Sequence, residues 1–223
     1  MPGDPNGEML ATCWRLALLR PFRYVRGVLR FRSHVLVGVA LVALPMGAAG
    51  CQHKSKTPEE AFQRFAAAVT AGDGAALFDA LDQQTRWDLM TIQKWHREAY
   101  DIVLSNYPEG PVRDREKERF ERAATAPSAR ELFRTDAAPG LLPTLAPLAA
   151  GIPRVEAGAA AGQATAVLES GGRVPLARGD NGGWGFAGLA KRAEDDKNRA
   201  YHDLEVVRAS AADYERAAAR AAK

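Results

Sequence analysis

The sequence predicts an α+β domain: N-terminal helices packed on a small antiparallel β-meander, with one long C-terminal helix after it. Three patterns carry this. Apolar residues recur at helical spacing from Pro58 to Ser105, four short runs alternate with glycine-rich turns from Arg154 to Ala187, and a three-and-four repeat returns from Leu189 to Lys223. The expected organisation is a leader over 1–50, an anchor and tether over 51–56, the α+β domain over 57–188 and the long helix over 189–223.

The first element is an address. Val35 to Met46 is an apolar run, Ala48, Ala49 and Gly50 are small, and six arginines precede them, opposed by Asp4 and Glu8. This is the charge and size pattern of an export signal. Ala48-Ala49-Gly50-Cys51 resembles the lipobox of bacterial lipoproteins, although Ala48 stands where leucine is usual. The resemblance implies cleavage after Gly50 and acylation of Cys51, placing a fatty-acyl (palmitate-type) anchor at the new N-terminus and a membrane as the first partner. Residues read without the resemblance leave two alternatives: an ordinary signal peptide, or an uncleaved anchor, for which Val35 to Gly50 falls just short of the ~17–25 residues of a spanning helix. Met1 and Met9 are both candidate starts, and Cys13 belongs to the leader in either case. In lipoproteins an aspartate after the cysteine retains the protein in the inner membrane. Gln52 in that place implies an outer-membrane location facing the periplasm.

Removing the leader changes the charge. Of 30 Lys+Arg and 27 Asp+Glu in 223 residues, 24 and 25 lie beyond residue 50, so the overall +3 belongs to the leader. A near-neutral domain gives no electrostatic basis for a nucleic-acid partner. Cys51 is the only cysteine left, so the domain is expected to hold together by packing alone.

Gln52 to Lys56 is polar and reads as the tether. Thr57-Pro58-Glu59-Glu60 combines an N-cap, a first-position proline and a capping-box glutamate. Phe62, Phe65, Ala66 and Val69 then share a face, and Gly72 ends the helix. Asp73 caps a second helix bearing Leu77, Phe78 and Leu81. A third, over about Thr85 to Ser105, aligns Ile92, Trp95, Ala99 and Ile102 before Pro108-Glu109-Gly110-Pro111 stops it.

Pro58, Glu59, Ala61, Phe65, Ala68, Ala71, Gly72, Asp73, Leu77 and Leu81 together resemble the opening of nuclear transport factor 2-like (cystatin-like, SnoaL-like) domains, over about 30 residues. The resemblance implies a cone in which helices cover a curved sheet, complete or, given so brief a meander, incomplete. In the ketosteroid isomerase relatives, an acid and a tyrosine act inside such a cone. The nearest candidates in this chain are Asp88 and Tyr100, with Trp87, Trp95 and Trp184 as pocket walls.

Val112 to Ala124 is heavily charged and reads as a solvated helix with ion pairs such as Glu116 to Arg119. Pro127-Ser128 starts another brief helix with Leu132 and Phe133. Residues 137–152, together with Pro153, hold four prolines (Pro139, Pro143, Pro147 and Pro153), which argues against one long regular helix and for a short helix inside an insertion or lid.

The expected strands are 154–157, 163–169, 173–177 and 184–187, joined by turns at Ser170-Gly171-Gly172 and Asp180-Asn181-Gly182-Gly183. Pro175 is expected at an edge or an unpaired position. Exported cystatin-like domains commonly close on a tryptophan strand packed against the first helix, which implies that part for Trp184. In the last helix, Ala200, Leu204, Val207, Ala211, Tyr214, Ala218 and Ala221 form a stripe, open to two readings: packing on its own domain, or a seam for an envelope partner.

No catalytic signature accompanies these elements. His53, His96 and His202 are not at metal-ligand spacing, and HExxH, CxxC, Gly-x-Ser-x-Gly and phosphate-loop motifs are absent. His96 beside Trp95 reads as a structural, partly exposed histidine, and no cofactor is expected. The sequence therefore points to a lipid-anchored envelope protein with a periplasm-facing domain that binds a small apolar ligand or an envelope partner. A structural lipoprotein acting through its last helix and a proton-transfer enzyme are the alternatives.

Overall fold

A computed structural model describes residues 54–222, which fall within one compact unit. Cys51, Gly50 and the leader expected over 1–50 lie outside the described residues. The architecture is α+β, as the periodicities predict, but its helices divide between two apolar cores.

The first core is built by α1 (Pro58–Thr70), α2 (Gly74–Ala80), a helical stretch over 129–149 and the sheet. Thr57 caps α1 by accepting from the Glu60 backbone N–H at 3.2 Å, while Glu60 reaches back to the Lys56 N–H at 2.6 Å, one residue before the cap. Asp73 caps α2 by accepting from the N–H groups of Ala75 and Ala76. The amphipathic face of α1 then buries Phe62 and Phe65, and the Phe65 ring meets that of Phe186 with centroids 4.3 Å apart. Each such phenyl contributes about 1.5–3 kcal/mol by leaving water.

The sheet is an antiparallel meander in the order β1 (Arg154–Ala157), β2 (Gln163–Val167), β3 (Arg173–Arg178) and β4 (Trp184–Phe186). Ala164, Ala166, Leu168, Val174, Leu176 and Phe186 point into the first core. Pro175 stands in β3 between β2 and β4 and so is not at an edge, but the β3–β4 register runs only from Leu176 to Arg178, which leaves it at the other expected place, an unpaired position. The Ala187 N–H donates to the Pro175 carbonyl at 2.9 Å, just past the end of β4, and the rung loses no more than the bond that proline cannot return. Gly171 supplies the positive φ (84°) of the β2–β3 turn and Gly182 (79°) that of the β3–β4 turn.

The proline-rich stretch departs from expectation. It is no lid: α5 (Ala129–Leu132), a π-helical turn (Phe133–Ala137) and α6 (Ala138–Ala149) run on as one helical segment, with Ala138, Leu141 and Leu145 buried in the first core. Pro139, Pro143 and Pro147 are spaced by four and all exposed, so the missing N–H groups of Pro143 and Pro147 face the carbonyls of Pro139 and Pro143 along one edge. That edge is open to solvent, and the apolar side of the helix is left intact.

The second core is a three-helix bundle of α3 (Gln83–Asn106), α4 (Pro111–Thr125) and α7 (Ala190–Ala221). The charged α4 is more than a solvated helix, because Phe120 is 1 % exposed and lies against α3 and α7 with Ala99, Val103, Leu204 and Val207. Its Glu116–Arg119 pair forms at 3.5 Å, and Arg119 also reaches Asp203 of α7 at 2.6 Å. On α3, Ala99 and Val103 are fully buried, whereas Ile92, Trp95 and Ile102 are half-buried: a helix wedged between two neighbours divides its contact face. The α7 stripe is buried from Ala200 to Ala211, half-buried at Tyr214 and exposed at Ala218 and Ala221.

Asp82 ties the cores together. Its N–H donates to the Phe186 carbonyl at 3.0 Å, and its carboxylate caps α3 through Thr85, accepting from the backbone N–H at 3.1 Å and from the hydroxyl. Gly185 makes the approach possible, since a β-carbon there would stand 2.5 Å from the Leu81 carbonyl oxygen and 2.6 Å from the Asp82 Cα.

Candidate functional site

The five predicted pocket residues do not converge. Trp87 is 48 % exposed on α3, and Trp95 meets Tyr201 of α7 in a tilted ring contact with centroids 5.3 Å apart. Tyr100 is half-buried against the second core. Asp88 is buried on α3, and it accepts from Lys197 Nζ at 2.5 Å and Gln84 Nε2 at 3.0 Å. Only Trp184 of the five lines the cavity found on the surface of the first core.

Two facts of the packing account for this. Trp95 and Tyr100 pack against the helix bundle, Asp88 is paired to α7 and Trp87 faces solvent, so these α3 residues share no wall with Trp184. The space between α1 and the sheet is filled instead: Phe62, Phe65, Leu176, Val174 and Phe186 are each 0–2 % exposed. A second buried carboxylate, that of Asp82, is engaged as a helix cap. Among the described residues no group of three or more His, Cys, Asp or Glu side chains is placed to hold a metal ion.

A cavity of about 40 Å³ sits beside Ser55, near the first described residues. Ser55, expected in a free tether, is 3 % exposed and bridges to β4, its carbonyl accepting from the Trp184 N–H at 2.9 Å. The segment expected as a tether through Lys56 is therefore held to the domain from Ser55 on, because the edge of β4 has backbone groups that the entering chain satisfies. On the far wall the β3–β4 turn docks on the start of α3: the Asn181 N–H donates to Gln83 Oε1 at 3.1 Å, and Asn181 Oδ1 accepts from the Gly183 N–H at 2.9 Å.

Three cations border this space, Lys54, Arg64 and Arg86, against one carboxylate, Asp79. Arg64 Nη1 donates to Ser55 Oγ at 3.4 Å. Asp79 is turned to Arg130, which donates three bonds to it at 2.8–3.1 Å, a pairing that raises the Arg130 pKa above its ordinary value. Arg86 Nε is buried and has no hydrogen-bond partner among the described residues. Neither Arg64 nor Arg86 stands out in the sequence, and the helical spacing of α1 and α3 shows only that they lie off the main apolar stripes.

The fold shifts the titration of His96. Burial beside Phe120, with ring centroids 5.6 Å apart, lowers its pKa, opposed by Asp203 and seconded by Arg119. It lies in the bundle, away from the cavity lining. No protein-family model, no curated protein and no solved structure matches the chain.

Proposed function

We propose that this chain is a lipid-anchored, periplasm-facing envelope protein whose domain acts by binding another envelope component at its surface. The lipobox-like Ala48-Ala49-Gly50-Cys51 supports the address. The observation that carries surface recognition is the filled interior between α1 and the sheet, where the Phe65–Phe186 contact occupies the room an apolar ligand needs.

Two measurements test the reading. Mass spectrometry of the mature N-terminus is expected to show an acylated Cys51 in the wild type, and an unmodified, uncleaved chain there would overturn the anchor. Thermal-shift screening of the full chain in non-ionic detergent is expected to show no saturable stabilisation by apolar small molecules; a clear rise in Tm with one of them would restore a ligand pocket.

A second reading, assembly through α7, has one observation in its favour. Past the bond from Asn106 Nδ2 to Glu215 Oε1 at 2.6 Å, residues 216–221 of α7 are exposed. Sedimentation of the full chain with and without 216–223 tests it, an unchanged association state leaving the helix end without that role. Proton-transfer catalysis has the least support, since Asp82 and Asp88 are both engaged in structural hydrogen bonds.

A further inference from the structure

We infer that the cavity beside Ser55 is a binding site for a phosphate-type oxyanion, read by the guanidinium of Arg86. Three observations carry it. Arg86 Nε is buried and no group among the described residues accepts its proton, and a charged donor left in that state costs more than a neutral one unless an acceptor arrives. The carboxylate that borders the cavity is not that acceptor, because Asp79 is held by the fork of Arg130. Lys54 and Arg64 stand on the same rim, so the local charge favours an anion with several oxygens.

Size agrees with this chemistry. A cavity of about 40 Å³ exceeds the ~10–15 Å³ that one water needs, so it takes a few heavy atoms and suits a small tetrahedral oxyanion, not a hydrophobic ligand. Its floor is set by the Ser55–Trp184 pairing and by the Gln83–Asn181 bond.

The oxyanion has two sources, a phospholipid headgroup or free phosphate. The lipid source rests on the anchor proposed above: Ser55 lies four positions after Cys51, a reach of at most about 14 Å, which would hold the cavity close to the headgroups. Anchor and site fail separately, since the first is read by the mass of the mature N-terminus and the second by the experiment below.

The full chain, purified in non-ionic detergent, is titrated with inorganic phosphate at constant ionic strength while Tm and the Arg86 ¹⁵Nε resonance are followed. The same readouts are taken in nanodiscs of phosphatidylcholine alone and of phosphatidylcholine with about 30 mol% phosphatidylglycerol, a composition chosen for the test at roughly the anionic content of a charged leaflet. Saturable shifts with phosphate assign a free-anion site, and shifts with phosphatidylglycerol alone assign a headgroup site. Arg86→Gln is expected to weaken the response about tenfold or more. Arg86→Lys, which keeps the charge and loses the fork, is expected to recover only part of it. Should Arg86→Gln fail to fold, Lys54→Gln on the exposed rim gives a smaller loss in the same direction. An unmoved Arg86 resonance in every arm, or equal shifts in wild type and variants, overturns the site.

Discussion

Lys197 Nζ on α7 donates to the buried carboxylate of Asp88 on α3 at 2.5 Å, and Gln84 Nε2 donates to the same Asp88 oxygen at 3.0 Å. The pair adds a polar clasp between the two helices whose apolar contacts are made by Ala99, Val103, Leu204 and Val207. Asp88 is buried and Lys197 remains a quarter exposed, so the carboxylate is the member that depends on its partner. Lys197→Met is expected to destabilise the chain by about 2–4 kcal/mol, because it leaves a buried charge with one neutral donor. Adding Asp88→Leu should recover much of that loss. Urea melts of the single and double variants check this, and additive losses would show that the pair does not act as a unit.

His96 makes the stability of the bundle depend on pH. Burial lowers its pKa in the folded chain below the ordinary 6.5, so between those two values the unfolded chain binds a proton that the folded one does not. Stability therefore holds above about 6.5, falls as pH drops through that value, and levels off below the folded pKa. Chemical denaturation on the two sides of that window is expected to show a smaller loss on acidification for His96→Gln than for the wild type. Equal losses would assign the pH dependence to other groups.

At Gly185 the sheet lies directly against the backbone that leads into α3. A β-carbon there meets backbone atoms at 2.5–2.6 Å, which no rotamer change relieves. Gly185→Ala is expected to cost about 3 kcal/mol, as overpacking against a fixed backbone does. Gly171→Ala, with open space but a φ of 84°, should cost only about 1–2 kcal/mol, the penalty of a left-handed alanine. Comparing their Tm values separates collision from conformational strain.

Pro143 offers a gain. It is exposed inside α6, and an alanine there would donate its N–H to the Pro139 carbonyl one turn back. Interior proline costs about 3 kcal/mol against alanine, less the ~0.4–1 kcal/mol by which proline stiffens the unfolded chain. Local adjustment of the helix absorbs part of this, so Pro143→Ala is expected to raise stability by about 1–2 kcal/mol in a thermal melt. A lower Tm would mean that the proline is needed to seat Leu141 and Leu145.

Most of the elements are legible in local signals. Thr57, Asp73 and Ser128 act on hydrogens two or three residues away, so caps are written in nearby residues. The meander is legible for the same reason: Gly171 and Gly182 supply the turns, and alternation places Val174 and Leu176 inward. The proline-rich stretch misleads because counting prolines ignores which face they occupy; only their spacing of four, on an exposed edge, reconciles them with a helix.

By itself the sequence determined the α+β class, the helix starts, the four strands and the near-neutral charge beyond residue 50, all properties of neighbouring residues and of composition. Tertiary structure alone decided which helices share a core, and with that the fate of every candidate pocket residue. An amphipathic helix carries an apolar stripe that fits a sheet or another helix equally well, and α3 took the bundle while Asp82 joined its start to Phe186. That choice drew Asp88, Trp95 and Tyr100 away from Trp184, while Ser55, Arg64, Arg86 and Asn181, separated by up to 126 positions, came together around a cavity that no local pattern announces.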